Sequence, residues 1–331
     1  MWKEAAFPLA VMLALAGCSG DGTNPFSDDS DPDSGEETTG ITVPAEVAGN
    51  VSAMRYDATA QTLTVTGVSL DKVPFQAVYT REAARDVDYG GYQVFMAQDD
   101  ALDRHATALV LQSDGTAVTG RVRAGVAATP GPRNRYLAGG YFERDGDFDP
   151  PAVTATSGMV SYAGRYAGLT NAGVRDYGEG ILLEPDPSTP DELLPARAAQ
   201  TTGDVFINAD FADNRVEGNI YNRRFVPTNA ALPSIVLVAS EIDADGTFAG
   251  RVEYDLRQSN GAYAGLDDTE IGNYAGIFGG RDASAVGGVV ALNQFDGEDA
   301  LGFETEQEHG VFVIGKCGTA GASASVCNDV K

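Results

Sequence analysis

From Gln61 onward, apolar and polar side chains alternate with a period of two in short runs, punctuated by Gly, Asp, Asn and Pro. That period belongs to a strand with one dry and one wet face, so it commits the chain to antiparallel sheet. QTLTVTGVSL (61–70) sets Leu63 and Val65 among threonines. PFQAVYT (74–80), YQVFMA (92–97), ATALVLQ (106–112), TAVTGRVRAGV (116–126) and RYLAGGYFERDG (135–146) read as further strands. Ser113-Asp114-Gly115 reads as a hairpin turn, because Asp-Gly tolerates positive φ. AQDDALDRHA (97–106) reads as a short helical turn.

DGDFDPPA (145–152) interrupts the strands and marks a boundary between two units. Asp145, Asp147 and Asp149 have the opening spacing of a calcium loop. Pro150 at its sixth position and Thr156 at its twelfth exclude an EF-hand.

Beyond the boundary the alternation is more regular. In TFAGRVEYD (247–255), Phe248, Gly250, Val252 and Tyr254 oppose Arg251, Glu253 and Asp255. VFINADF (205–211) and NRVEGNIYN (214–222) alternate in the same way. With SGMVSYAGRYAG, GEGILL, SIVLVASEI, NYAGIFGG, AVGGVVALN and HGVFVIGKC, these make eight or nine strands. Turns at Asp213-Asn214 and Asp245-Gly246 join neighbours antiparallel. A transmembrane barrel needs an apolar outer belt with aromatic girdles. Polar residues on one face of TFAGRVEYD, VFINADF and NRVEGNIYN predict the inverse, a barrel filled inside and solvated outside. The expected fold is all-β: a small soluble closed antiparallel β-barrel of about eight strands over 151–317, preceded by a β-rich subdomain over 41–150. Gly164, Gly168, Gly250, Gly276, Gly287 and Gly288 are the expected points of strand bending.

The N-terminus supplies an address. Leu15-Ala16-Gly17-Cys18 follows a short apolar run and forms a bacterial lipobox, so residues 1–17 read as a signal peptide and Cys18 as the lipidated first residue. Ala5 to Ala16 is too short to span a bilayer. A diacylglycerol plus an N-acyl chain (palmitate-type lipid) anchors stably where one chain would not. Ser19 in place of Asp favours the outer membrane. Residues 18–40, rich in acidic residues and nearly devoid of large apolar ones, read as a flexible tether. At about 26 Å as a coil, the tether lifts a domain clear of the headgroups.

The formal net charge of -26 argues against nucleic acid, which is bound by clustered Lys and Arg. With Cys18 assigned to lipid, Cys317 and Cys327 remain, and an exported chain meets an oxidising compartment, so they are expected to pair and close the tail over 318–331. A thiolate metal site wants three or four Cys or His ligands, which this stretch lacks.

DFADNRVEGNIYNR, a hydrophobic strand, DGTFAGRVEYD, NYAGIFGGRDASAVGGVVALN and HGVFVIGKC follow in an order that resembles the barrel half of a transferrin-binding protein B lobe. The matched positions are Asp210, Phe211, Gly218, Phe248, Gly250, Gly276, Phe278, Gly279, Ala283, Gly287, Gly288, Phe312, Gly315 and Lys316. The resemblance implies a handle-like role for residues 41–150. It also implies a cell-surface lipoprotein that captures a ligand through barrel and handle loops.

Catalysis has little to stand on. There is no G-x-S-x-G, H-E-x-x-H or P-loop, and the two histidines, His105 and His309, are far apart in sequence. The chain is not expected to be an enzyme, and no metal site or cofactor is assigned. Two readings stand. One is a module that binds a solute or protein, with iron or haem acquisition and a TonB-dependent receptor as the implied setting; the other is a structural or adhesive surface lipoprotein. Haem capture would need a Tyr or His axial ligand. Interfaces concentrate Arg and aromatic residues, and Arg165, Tyr166, Arg175 and Tyr177 lie near strand ends. Tyr221, Arg223, Arg224 and Phe225 form the most compact positive feature and are the expected ligand-binding cluster, at a loop edge. The long loop EPDPSTPDELLPARAAQ (184–200) is a second candidate.

Overall fold

The computed structural model describes residues 41–57, 59–89, 91–113, 121–131, 136–154, 158–175, 183–255, 269–293 and 306–329. The lipobox, the tether, most of the Ser113-Asp114-Gly115 turn, most of GEGILL and Tyr177 lie outside these residues.

Seven strands meander in sequence order after a single helical turn, α1 (Ala45–Ala48): β1 (Val51–Asp57), β2 (Thr62–Val68), β3 (Pro74–Arg81), β4 (Gln93–Ala97), β5 (Ala106–Gln112), β6 (Val122–Ala128) and β7 (Ala138–Arg144). All neighbours are antiparallel, and the sheet curls until the Asn50 N–H donates to the Ala138 carbonyl at 2.9 Å, so it is nearly closed. AQDDALDRHA forms turns rather than a helix. The short 3₁₀ helix lies earlier, at Ala83–Tyr89, where the Asp86 carboxylate pairs with Arg81 and accepts from the Val94 N–H.

The second half forms β8 (Met159–Val174), β9 (Arg197–Asp210), β10 (Arg215–Phe225), β11 (Ala230–Ala231), β12 (Ile235–Glu241), β13 (Thr247–Tyr254), β14 (Glu270–Gly279), β15 (Ala285–Asn293) and β16 (Gln307–Lys316). β16 pairs back to β8, and β9 pairs with both β8 and β10. Eight strands therefore close into an antiparallel barrel, with the two-residue β11 hanging on β10. Closure removes the open edges that would invite aggregation. The turns expected at Asn214 and Gly246 are made with φ of 52° and 79°.

Inward side chains fill the barrel. Phe278 lies 5.1 Å, centroid to centroid, from both Phe211 and Phe248, and the buried Tyr162 donates its hydroxyl to the Ala283 carbonyl at 2.6 Å. This lumen is a packed core and not a ligand pore.

The outside of the barrel departs from the solvated wall expected from sequence. Ala275, Ile277, Val289, Ala291, Val311 and Val313 project outward from β14, β15 and β16. They pack against Val94, Met96, Leu109, Val122, Ala124 and Val126 of the first sheet. β15 is consequently buried at every residue from Ala285 to Leu292. Each such Val, Leu or Ile contributes roughly 1.5–3 kcal/mol relative to exposure, so this seam is a second core. Contact is close enough to require glycine: a Cβ on Gly140 would lie 2.8 Å from the Val289 Cβ. Polar ties cross the seam as well. The Tyr92 hydroxyl donates to the Arg165 carbonyl at 2.9 Å, and Arg144 Nη1 donates to the Phe278 carbonyl at 2.7 Å.

The chain ends in α2 (Ala324–Asp329), laid on the uncovered wall of the barrel. There Val326 packs with Ala163, Phe206, Tyr221 and the disulfide between Cys317 and Cys327.

Candidate functional site

The cluster expected at Tyr221, Arg223, Arg224 and Phe225 does not form one surface. Along β10, Val216, Gly218 and Ile220 point inward, but Asn222 adopts φ 52° and the β9–β10 register shifts between Tyr221 and Arg224. This bulge reverses the phase of the strand, so Arg223 and Phe225 turn into the barrel. Arg223 is 1% exposed, and its guanidinium donates to Glu308 Oε2 at 2.8 Å and to the Pro233 carbonyl at 2.9 Å. Tyr166 donates its hydroxyl to the other oxygen of Glu308. Burial, then the Glu308 charge, pushes the Tyr166 phenol well above its ordinary pKa, so it remains a donor. Tyr166, Glu308 and Arg223 thus form a buried polar knot inside the core.

Arg224 alone of the four is exposed, and it donates to the Asn229 carbonyl at 3.3 Å. Tyr221 is half-buried beside α2. Arg165 pairs with Asp204, and Arg175 donates to the carbonyls of Asp191 and Glu192. These arginines serve the fold locally. The loop after β8 is likewise tied down where it is described, with a 3₁₀ turn at Asp191–Leu193 and Arg197–Gln200 already inside β9.

A different place gathers polar groups without using them up. At one end of the seam, α1 and the start of β7 stand away from the ends of β15 and β16. Between them is a cleft of about 280 Å³, lined by Glu46, Gly49, Asn50, Tyr136, Ala138, Ala291, Leu292, Asn293, Gln307 and His309. Strand register explains the arrangement. Asn293 pairs with Gln307 and Ala291 with His309, and Gln307 and His309 share the outward face with Val311 and Val313. Where the apolar seam ends, the same face becomes polar. Gly49, Ala138 and Ala291 leave the room.

Tyr136 forms one wall. Its ring centroid is 5.8 Å from that of His309, and its hydroxyl donates to the Leu169 carbonyl at 3.1 Å and lies 3.4 Å from His309 Nδ1. Burial holds the His309 imidazolium pKa down at about 4, so the ring is neutral at pH 7. Asn50 donates to the Val68 carbonyl and accepts from the Ala138 N–H, and keeps one amide hydrogen beyond these bonds. Among the described residues no group of three or more His, Cys, Asp or Glu side chains is placed to hold a metal ion. The cleft can hold a small ligand by hydrogen bonds.

The described residues define a scaffold of one closed eight-stranded barrel welded to a nearly closed seven-stranded sheet, with a polar cleft at one end of the seam. No family model matches the chain, and no curated protein matches it. Among solved structures it is similar in fold to transferrin-binding protein B lobes. Intact Ap-TbpB, with N and C lobes, is 12% identical at a TM-score of 0.35, over 80% of this chain and 54% of that one. The transferrin-binding protein B of Haemophilus parasuis Hp5, a vaccine antigen, is 11% identical at 0.35, over 80% and 52%. The isotype 1 protein of serogroup B Neisseria meningitidis is 13% identical at 0.32, over 80% and 51%. The chain spans about half the length of these three.

Proposed function

We propose that this chain is an outer-membrane surface lipoprotein that works as a non-catalytic binding module. Residues 1–17 are removed, Cys18 carries the lipid and residues 18–40 are the tether. Residues 41–150 and 151–317 act as one welded scaffold, and the disulfide-closed tail over 318–331 braces it. The observation that carries the reading is the seam cleft. The cleft gathers polar side chains of α1, β15 and β16 in one concavity, where Gln307 and Asn293 keep hydrogen-bonding capacity beyond their mutual contact. The filled lumen directs any ligand to the outer surface. Arg224 and Tyr221 remain secondary candidates there.

Iron- or haem-bearing ligands, and a TonB-dependent receptor as co-partner, are the first to test. At about 280 Å³ the cleft falls at the lower edge of the ~300–1,000 Å³ typical of ligand pockets, so it suits one small group better than a haem macrocycle. The competing reading is a structural or adhesive lipoprotein, for which no specific observation speaks.

A photo-crosslinking residue placed in intact cells at Asn293 tests the proposal, with Arg251 on the uncovered barrel wall as control. Adducts are read by intact mass spectrometry, which detects proteins and small ligands alike. A discrete adduct from Asn293 that is absent from Arg251 is the expected result. Adducts from neither site, or equally from both, would favour the structural reading.

A further inference from the structure

Only one edge of β3 is paired along its length. β2 runs beside it from Thr62↔Thr80 to Val68↔Pro74. β4 meets it only at Thr80↔Met96 and Arg81↔Phe95 and ends at Ala97. From Pro74 to Tyr79 the outer edge therefore has no strand partner among the described residues. Register tells which backbone groups stand there. The Arg81 N–H donates to the Gln61 carbonyl and the Ser69 N–H to the Val73 carbonyl, so the odd-numbered residues of this segment spend their backbone groups on β2. The even-numbered ones point the other way. The N–H and C=O of Gln76 and Val78, and the Pro74 carbonyl, face the open edge.

The edge is apolar as well as open. Val68, Leu70, Val73 and Val78 are between 41% and 59% exposed, and Phe75 and Ala77, on the opposite face of β3 from Val78, are only partly buried against the core of the first sheet. Pro74 blunts the start of the strand, but Phe75 to Tyr79 carry none of the charges that guard an exposed edge. A strand laid along this edge meets two backbone donors and three acceptors over about 17 Å, and covers apolar side chains on both faces.

Charge selects the occupant. The loop after β4 starts where that strand leaves β3, and its Asp99, Asp100 and Asp103 are exposed and pair with no cation among the described residues. Burial and then the charge of Asp99 raise the Tyr79 phenol, which places this loop beside β3. The nearby cations leave that charge standing. Lys72 offsets Asp71 in the β2–β3 turn, Arg55 offsets Asp57 on β1, and Arg104 turns its guanidinium to the Pro130 carbonyl. A second copy of this chain would bring the same acidic loop and a net charge of -26 to a ladder of a few residues. A segment carrying Lys or Arg meets attraction instead.

We propose that the open edge of β3 binds an extended segment of a partner protein by strand addition, the segment alternating apolar residues and carrying Lys or Arg at the end that meets Asp99, Asp100 and Asp103. This surface shares no residue with the seam cleft and does not depend on it.

The test is amide exchange by nitrogen-15 NMR on the full chain in detergent, at 0.15 M salt, with three synthetic peptides. These are RKRVTVTV, its acidic counterpart EDEVTVTV, and RKRVPVPV, whose prolines cannot donate to a ladder. RKRVTVTV is expected to bind saturably and to slow exchange at Gln76 and Val78, while Phe75, Ala77 and Tyr79, already bonded to β2, change little. Val78→Pro removes an outward N–H without touching the β2 ladder and should weaken binding at least about tenfold. Asp99→Asn combined with Asp103→Asn changes only exposed side chains and should weaken it about two- to tenfold. That pair carries the mutational test if Val78→Pro alters the spectrum beyond β3. The proposal is overturned if RKRVTVTV does not bind, if it binds without protecting Gln76 and Val78, or if EDEVTVTV or RKRVPVPV binds as well. Protection of the same two amides without peptide, rising with protein concentration, would assign the edge to a second copy and overturn it too.

Discussion

Replacing Arg223 by Met removes one half of an ion pair in which both side chains are 0% exposed. Sequence alone places Arg223 at a loop edge, where a substitution would shift stability by no more than about 0.5 kcal/mol. The structure predicts a far larger effect. Glu308 would keep only the Tyr166 hydroxyl and be left as an uncompensated buried charge, at a cost of about 3–5 kcal/mol. At ~2–4 °C per kcal/mol this lowers the Tm by roughly 6–20 °C. Adding Glu308→Leu removes the charge but orphans the Tyr166 hydroxyl, so the double variant should remain about 1–3 kcal/mol below wild type. Adding Tyr166→Phe should then recover stability to within about 1 kcal/mol, because an apolar triad of similar volume suits this lumen. Chemical denaturation of the four proteins, with Tm from calorimetry, gives the series. An Arg223→Met variant within 1 kcal/mol of wild type would refute the buried-knot account.

Metabolic labelling with a fatty-acid analogue should tag wild type and not Cys18→Ala, which should appear in soluble fractions; equal labelling would end the lipoprotein proposal. Gly140→Val should wedge the seam against Val289 and destabilise by about 1–3 kcal/mol, read by calorimetry, whereas a change below 0.3 kcal/mol would mean the two sheets are not welded there. Reducing the Cys317–Cys327 bond, which spans a sequence separation of 10, should lower stability by roughly 2–3 kcal/mol in the chain-entropy model. It should also speed amide exchange in α2 before the barrel strands; unchanged exchange in α2 would show that packing of Val326 alone holds it.

Much of the barrel was legible from alternation, because a closed antiparallel sheet with a filled lumen imposes a period of two on the strands whose outer face is wet. TFAGRVEYD and NRVEGNIYN fall on β13 and β10, where Phe248, Val252 and Tyr254, and Val216, Gly218 and Ile220, are the buried positions. The reading failed where the period itself breaks. β1 carries a register shift between Val51 and Ala53, so VSAMRYD does not alternate cleanly and was missed. The bulge at Asn222 reversed the facing of Arg223 and Phe225 by the same mechanism. Asn followed by two arginines carries no mark that separates a bulge from a loop edge. The seam was half-announced: AVGGVVALN and GVFVIG are apolar at consecutive positions, a pattern that needs both faces buried. Which sheet covers the second face depends on contacts between β6 and β15 or β16, far apart in sequence, and no local pattern encodes them. The cleft inherits that blindness, since Glu46, Tyr136, Asn293 and His309 meet only after the seam closes.

The most direct measurement is the protonation state of His309. The chain has two histidines, so nitrogen-15 spectra of the imidazoles are readily assigned with a His105→Gln variant. A neutral ring from pH 7 down to about pH 5, titrating near 4, is the result predicted from its burial beside Tyr136. A ring protonated at pH 6 would mean that His309 is not held in the desolvated wall the account describes.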